Sequence, residues 1–132
     1  MIVIDTSAVI AILRLEAEAD AFLRAIARAE ACFISAVSAL ETAMVLAGAA
    51  GGARLWEPLD ELLATAEVEI VPFDGAQSRL ARDAFTRFGK GRHAAGLNLG
   101  DCAAYALAAS RKLPLLFKGA DFTKTDLVAV TA

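Results

Sequence analysis

The chain opens on an apolar run, Met1-Ile-Val-Ile4, and turns polar at once in Asp5-Thr-Ser7. A short β-branched run of this kind predicts a buried strand. The polar residues after it suit the cap of a helix reaching to about Leu15. A second helix fits Glu16 to Ala29, with Ala19, Phe22, Leu23 and Ile26 on one face. Cys32 to Ser35 reads as a second strand and Ser38 to Ala49 as a helix that Gly51 and Gly52 end. Another helix follows from about Ala53 to Ala66. Its stripe of Leu55, Trp56, Leu59, Leu62 and Leu63 is expected to be mostly core. Val68 to Phe73 alternates and carries a proline, the mark of a third strand. Asp74-Gly-Ala-Gln77 has capping-box spacing and opens a helix to about Phe88. A basic, glycine-rich loop from Gly89 to Gly96 leads to Asn98, which is placed to cap an alanine-rich helix ending near Lys112. Pro114 to Phe117 is a fourth strand, and Leu127 to Val130 is read as a fifth.

Strands that alternate with helices imply a mostly parallel sheet, here of four or five strands, with helices on both faces. The expectation is a three-layer α/β/α fold in one domain spanning residues 1–132. Such sheets bind ligands at the carboxyl ends of their strands. Functional groups are therefore expected just after the strands.

Composition narrows the class. With 58% hydrophobic residues in 132, the chain can bury a core without disulfides. No segment reaches the roughly 18 apolar residues of a membrane span. The first residues do not read as a secretory signal. Cys32 and Cys102 are expected as free buried thiols in a reducing cytoplasm. With a single histidine, they lack the ligand spacing of a zinc site. A net charge of −3 argues against a non-specific nucleic-acid coat. It leaves room for a carboxylate-lined site whose charge a divalent metal neutralises.

Four acids follow the predicted strands. Asp5 ends the first, Glu41 lies six residues past the second, Asp101 begins the helix after the basic loop, and Asp121 follows the fourth. Hard cations such as Mg²⁺ and Mn²⁺ prefer oxygen ligands. Phosphodiester cleavage needs an activated water and charge neutralisation, which one or two carboxylate-held metals supply. Each acid also has a structural reading. Asp5 suits a helix cap, and Ser38-Ala-Leu-Glu41 has the spacing of a capping box. Asp101 suits a first helical turn after Asn98, and Asp121 a turn beside Gly119. Their joint placement after strands favours function.

These segments carry a family resemblance. Met1-Ile-Val-Ile-Asp5-Thr6-Ser7 resembles the opening strand and first acid of PIN domains. Ser38-Ala-Leu-Glu41, Asn98-Leu-Gly-Asp101-Cys102 and Gly119-Ala-Asp121-Phe122 resemble the second, third and fourth acidic motifs, in order. The chain's length and the stretch Lys90 to Asp101 look like VapC toxins in particular. The resemblance implies a metal-dependent endoribonuclease that uses Mg²⁺, with Mn²⁺ as the alternative. It further implies inhibition by a small VapB antitoxin, homodimer formation and no membrane association. By it Asp5, Glu41, Asp101 and Asp121 are the catalytic acids, and Asp5 and Asp101 the principal metal ligands. Thr6 or Ser7 would orient Asp5 from beside it. The products would carry a 5′-phosphate and a 3′-hydroxyl. Asp121 occupies the family's least constant acidic position, and Asp126 either assists it or merely precedes the last strand.

Residues 79–93 hold Arg79, Arg82, Arg87, Lys90, Arg92 and His93 against Asp83. Lys90 and Arg92, in the loop leading to Asp101, are read as an RNA phosphate clamp. Arg79 and Arg82 are read as solvated surface, and His93 as non-catalytic. Lys118 either reaches a phosphate or is solvated. Tyr105, one turn after Asp101, is expected to border the site. The competing functions are a catalytically silent module that binds RNA or protein and a carboxylate-metal phosphatase. Ser7 stands where the Asp-x-Asp of aspartyl phosphatases would need an acid.

Overall fold

The computed structural model describes residues 1–49 and 52–130. Four strands, β1 (Ile2–Ile4), β2 (Cys32–Ser35), β3 (Val68–Val71) and β4 (Leu115–Leu116), form one parallel sheet in the order β3-β2-β1-β4. Six α-helices accompany them: α1 (Thr6–Leu13), α2 (Ala19–Arg28), α3 (Ala36–Ala47), α4 (Trp56–Thr65), α5 (Gly75–Phe88) and α6 (Leu99–Arg111). Short 3₁₀ turns cover Gly52–Leu55 and Asp121–Lys124.

The period-two rule of strands divides the core into two halves. Ile2, Ile4, Ile34 and Leu116 point to one face and pack with α1 to α4, through Val9, Phe22, Leu46, Leu59 and Leu63. Val3, Val71 and Leu115 point to the other and pack with α5, α6 and Phe122. The sheet is thus sandwiched in three layers. Ala104, Ala106 and Ala108 of α6 are fully buried, because their small side chains let the helix approach closely.

Most predicted elements hold, with differences at their ends: the strand expected to Phe73 stops at Val71, and the helix expected from Ala53 begins at Trp56 after a 3₁₀ turn. The segment Leu127–Val130 makes a single parallel bridge, Leu115 to Ala129, rather than a strand. The helix expected from Glu16 begins only at Ala19, because Leu15 turns left-handed at φ 55°. The helix expected from Ser38 begins at Ala36, capped by the Ser35 hydroxyl on the Val37 N–H. Trp56 is 44% exposed and donates its indole N–H to the Ala43 carbonyl rather than joining the core. The predicted break at Gly51 lies outside the described residues. Both cysteines are free and buried. Among the described residues no helix is long and apolar enough to cross a membrane.

Candidate active site

Parallel strands deliver their successors to one edge, and the acids gather there. Asp5 leaves β1 as the cap of α1, and its Oδ2 accepts from the Ser7 N–H at 3.0 Å and the Ser7 hydroxyl at 2.6 Å. Its other oxygen, Oδ1, is buried and has no hydrogen-bond partner. The residue is 3% exposed. Burial above all raises its pKa to about 6; the Ser7 bonds oppose this, and the charges of Asp101 and Glu41 add to it. A buried carboxylate oxygen with nothing donating to it is costly. A cation at that point would remove the cost.

Glu41 comes from the second turn of α3. Ser38 is inside that helix and fully buried, so the capping-box reading of Ser38 and Glu41 fails. Glu41 reaches instead to the start of α6, where a β-carbon at Gly100 would collide with both its carboxylate oxygens. Asp101 closes a true capping box: the Asn98 side chain accepts the Asp101 N–H at 2.9 Å, and Asp101 Oδ2 accepts the Asn98 N–H at 3.1 Å. Its pKa is raised, first by burial; the Asn98 N–H opposes, and the charges of Glu41 and Asp121 contribute. Asp101 thus fills its structural role and faces the other acids as well.

Asp5, Glu41 and Asp101 line one open cleft with Thr6, Ser7, Ile10, Val45, Glu16 and Lys118. Asp121 is exposed and does not line the cleft, but its charge acts on Asp101. Among the described residues, no three acidic, histidine or cysteine side chains are drawn together tightly enough to enclose an ion. The donor set nonetheless suits a hard cation that keeps part of its water shell, as Mg²⁺ does. The orphaned Asp5 Oδ1 supplies a ready contact.

Beneath the cleft, hydroxyls tie α1 to α3. Thr6 Oγ1 donates to the Ser38 carbonyl at 3.0 Å, and Thr42 Oγ1 lies 2.8 Å from the same carbonyl and 3.2 Å from Thr6 Oγ1. Thr6 therefore braces the helices, while Ser7 is the residue that holds Asp5. Tyr105 does not border the cleft: its hydroxyl donates to Asp126 at 2.5 Å, and Arg87 bonds both. Asp126 is accordingly a tether of the C-terminal segment, apart from the site. Lys90 and Arg92 are exposed on the loop before Asn98 and do not line the cleft, and Arg92 lies over the Phe85 ring, 5.4 Å from its centre. His93 is occupied structurally, its Nδ1 accepting the Ala95 N–H at 3.0 Å. Three cleft residues carry no site signal in the sequence: Ile10, Glu16 and Val45. Glu16 comes from the turn between α1 and α2, where no strand precedes it to mark it.

A sequence model of the PIN domain matches residues 2–128. Ribonuclease VapC28 of Mycobacterium tuberculosis is 47% identical over 126 residues, covering 95% of this chain and 94% of that protein. The chain belongs to the PIN-domain family, among the VapC ribonucleases. Solved structures share its fold at low identity. The crystal structure of VapC20 of M. tuberculosis, described as a sarcin-ricin loop cleaving toxin, superposes with a TM-score of 0.80 at 17% identity, covering 98% of both chains. VapBC2 of Rickettsia felis, bound to a DNA fragment from its promoter, gives 0.75 at 17% identity over 98% of this chain and 97% of that one.

Proposed function

We propose that this chain is a divalent-metal-dependent endoribonuclease, the toxin of a VapBC pair, neutralised by a VapB-type antitoxin. The observation that carries the catalytic reading is the buried, unpartnered Oδ1 of Asp5 in a cleft shared with Glu41 and Asp101. The 47% identity to proteins named VapC ribonucleases supports the RNA substrate, and the fold shared with VapBC complexes is consistent with the antitoxin partner.

On this reading Asp5 and Asp101 hold a Mg²⁺ or Mn²⁺ ion, with Glu41 beside them and Asp121 acting from the rim. When bound, the ion supplies positive charge to the scissile phosphate and eases deprotonation of the attacking water. Ser7 fixes Asp5 by two hydrogen bonds to one oxygen and leaves the other without a partner, so that oxygen would be the one to hold the metal. Asn98 fixes Asp101 by a single hydrogen bond from its N–H to Oδ2. Thr6 and Thr42 keep the helices that carry Asp5 and Glu41 in register. Lys90 and Arg92, exposed on the loop that leads to Asp101, guide the RNA backbone. Homodimer formation completes the family expectation.

Purified protein incubated with mixed RNA tests the proposal. Cleavage in Mg²⁺ or Mn²⁺ that EDTA abolishes is expected. Intact RNA in both metals would leave a silent binding module, and release of inorganic phosphate alone would point to a phosphatase.

A further inference from the structure

One cation reaches the acidic cleft, and its main chain is anchored to the acids. The Lys118 N–H donates to the Ser7 hydroxyl at 2.9 Å, and that hydroxyl donates to Asp5 Oδ2 at 2.6 Å. The Lys118 side chain lines the cleft beside Asp5, Glu41 and Asp101, and among the described residues it is the only cationic side chain that does. It is not simply solvated. Its ammonium lies 2.5 Å from Glu16 Oε1 and 3.4 Å from Glu18 Oε2.

Glu16 also lines the cleft. A fourth acid lining it adds negative charge that repels an approaching phosphate, and it occupies the one group able to attract it. An ammonium has three donors on a flexible stem and can exchange one anion for another. The exchange costs little, because the pair sits at the solvent edge with side chains 40% and 29% exposed. A phosphodiester presents anionic oxygens that accept hydrogen bonds from an ammonium as the Glu16 carboxylate does.

Resting on the ribonuclease reading above, we propose that Lys118 is the phosphate-binding cation of the cleft, held ready by Glu16 and Glu18, and that an RNA phosphate displaces Glu16 from it. Glu16 then acts as a built-in competitor of the substrate. The two residues of one ion pair must have opposite effects on RNA affinity, which a purely structural ion pair would not produce.

Steady-state cleavage of a fluorescent single-stranded RNA in Mg²⁺ tests this with Lys118→Met, Lys118→Arg, Glu16→Gln and the Glu16→Gln/Lys118→Met double variant. Lys118→Met is expected to raise KM about tenfold and to flatten its log–log salt dependence by about 0.7, one phosphate contact to a single strand. Lys118→Arg should restore most of the loss. Glu16→Gln should lower KM about threefold and should have no effect once Lys118 is gone. An unchanged KM in folded Lys118→Met, or a KM that rises or stays level in Glu16→Gln, would overturn the inference. Should Lys118→Met fail to fold, Glu16→Gln alone still decides. A parent protein that cleaves no RNA would instead remove the reading on which the inference rests.

Discussion

The Glu41 carboxylate rests directly against the α-carbon of Gly100, in the space a β-carbon would need. Any side chain at position 100 therefore displaces this acid, and the two residues form a single unit of the site. Gly100→Ala should leave stability nearly unchanged. The far end of a flexible side chain can swing away, and alanine favours the helix by about 1 kcal/mol. RNA cleavage is expected to fall at least about tenfold, roughly 1.4 kcal/mol in the barrier. Urea midpoints and cleavage rates of Gly100→Ala measured together check this; full activity would mean that Glu41 needs no fixed position.

Asp5 makes the metal-free protein sensitive to pH. Its native pKa is about 6 against an ordinary 3.8, so the native state binds the proton more tightly than the unfolded chain. The contribution of this group is therefore most favourable below pH 4 and is lost as pH rises through 6. By pH 7.5 it costs about 3 kcal/mol. In EDTA, Asp5→Asn should be more stable than the parent at pH 7.5, with the gap closing toward pH 4. Saturating Mn²⁺ should stabilise the parent and not the variant. A gap independent of pH would show that the acid is not strained by burial.

Tyr105 and Asp126 tether the end of the chain. Tyr105 is 4% exposed, and burial together with the Asp126 carboxylate raises its pKa to about 12, so its hydroxyl stays a donor. Tyr105→Phe should cost about 1–2 kcal/mol, the low end for a hydrogen bond to a charged acceptor because Asp126 is half exposed. Arg87→Ala should cost under about 1 kcal/mol, because its pair with Asp126 is half exposed. Neither should alter kcat. Chemical denaturation and cleavage assays separate the two effects, and a large fall in kcat for Tyr105→Phe would place the tyrosine in the chemistry after all.

Lys90 and Arg92 should contribute to RNA binding without touching the chemistry. Replacing both with alanine is expected to raise KM, to leave kcat within about twofold, and to reduce the salt slope by about 1.4, two contacts to a single strand. Cleavage kinetics from low to high salt provide the check. A slope equal to that of the parent would assign the loop to ordinary surface.

Much of this was legible in the sequence, because a parallel α/β fold writes its strands as short apolar runs and its site as the polar residues that follow them. Asp5 follows Ile4 directly and is both the cap of α1 and a cleft acid, whereas Asp101 follows a loop and is both the capping-box partner of Asn98 and a cleft acid. The error at Ser38 arose because serines stand at 35 and 38. Capping spacing alone cannot choose between them, whereas burial of Ser38 under Thr6 and Thr42 does. Glu16 could not be read at all. It reaches the cleft because Leu15, a residue with no preference for left-handed geometry, turns the chain there. Tyr105 was misplaced since spacing along α6 gives a face but not a partner, and Asp126 arrives from 21 residues away.

The central claim is that Asp5 and Asp101 hold the cation on which RNA cleavage depends. A crystal soaked in Mn²⁺ and measured at the manganese absorption edge tests it most directly. The account predicts an anomalous peak within about 2.5 Å of Asp5 Oδ1, in the range of bonds from hard cations to oxygen. That peak should vanish in Asp5→Asn together with cleavage. A protein that cleaves RNA in Mn²⁺ while its crystals show no manganese beside Asp5 would contradict it.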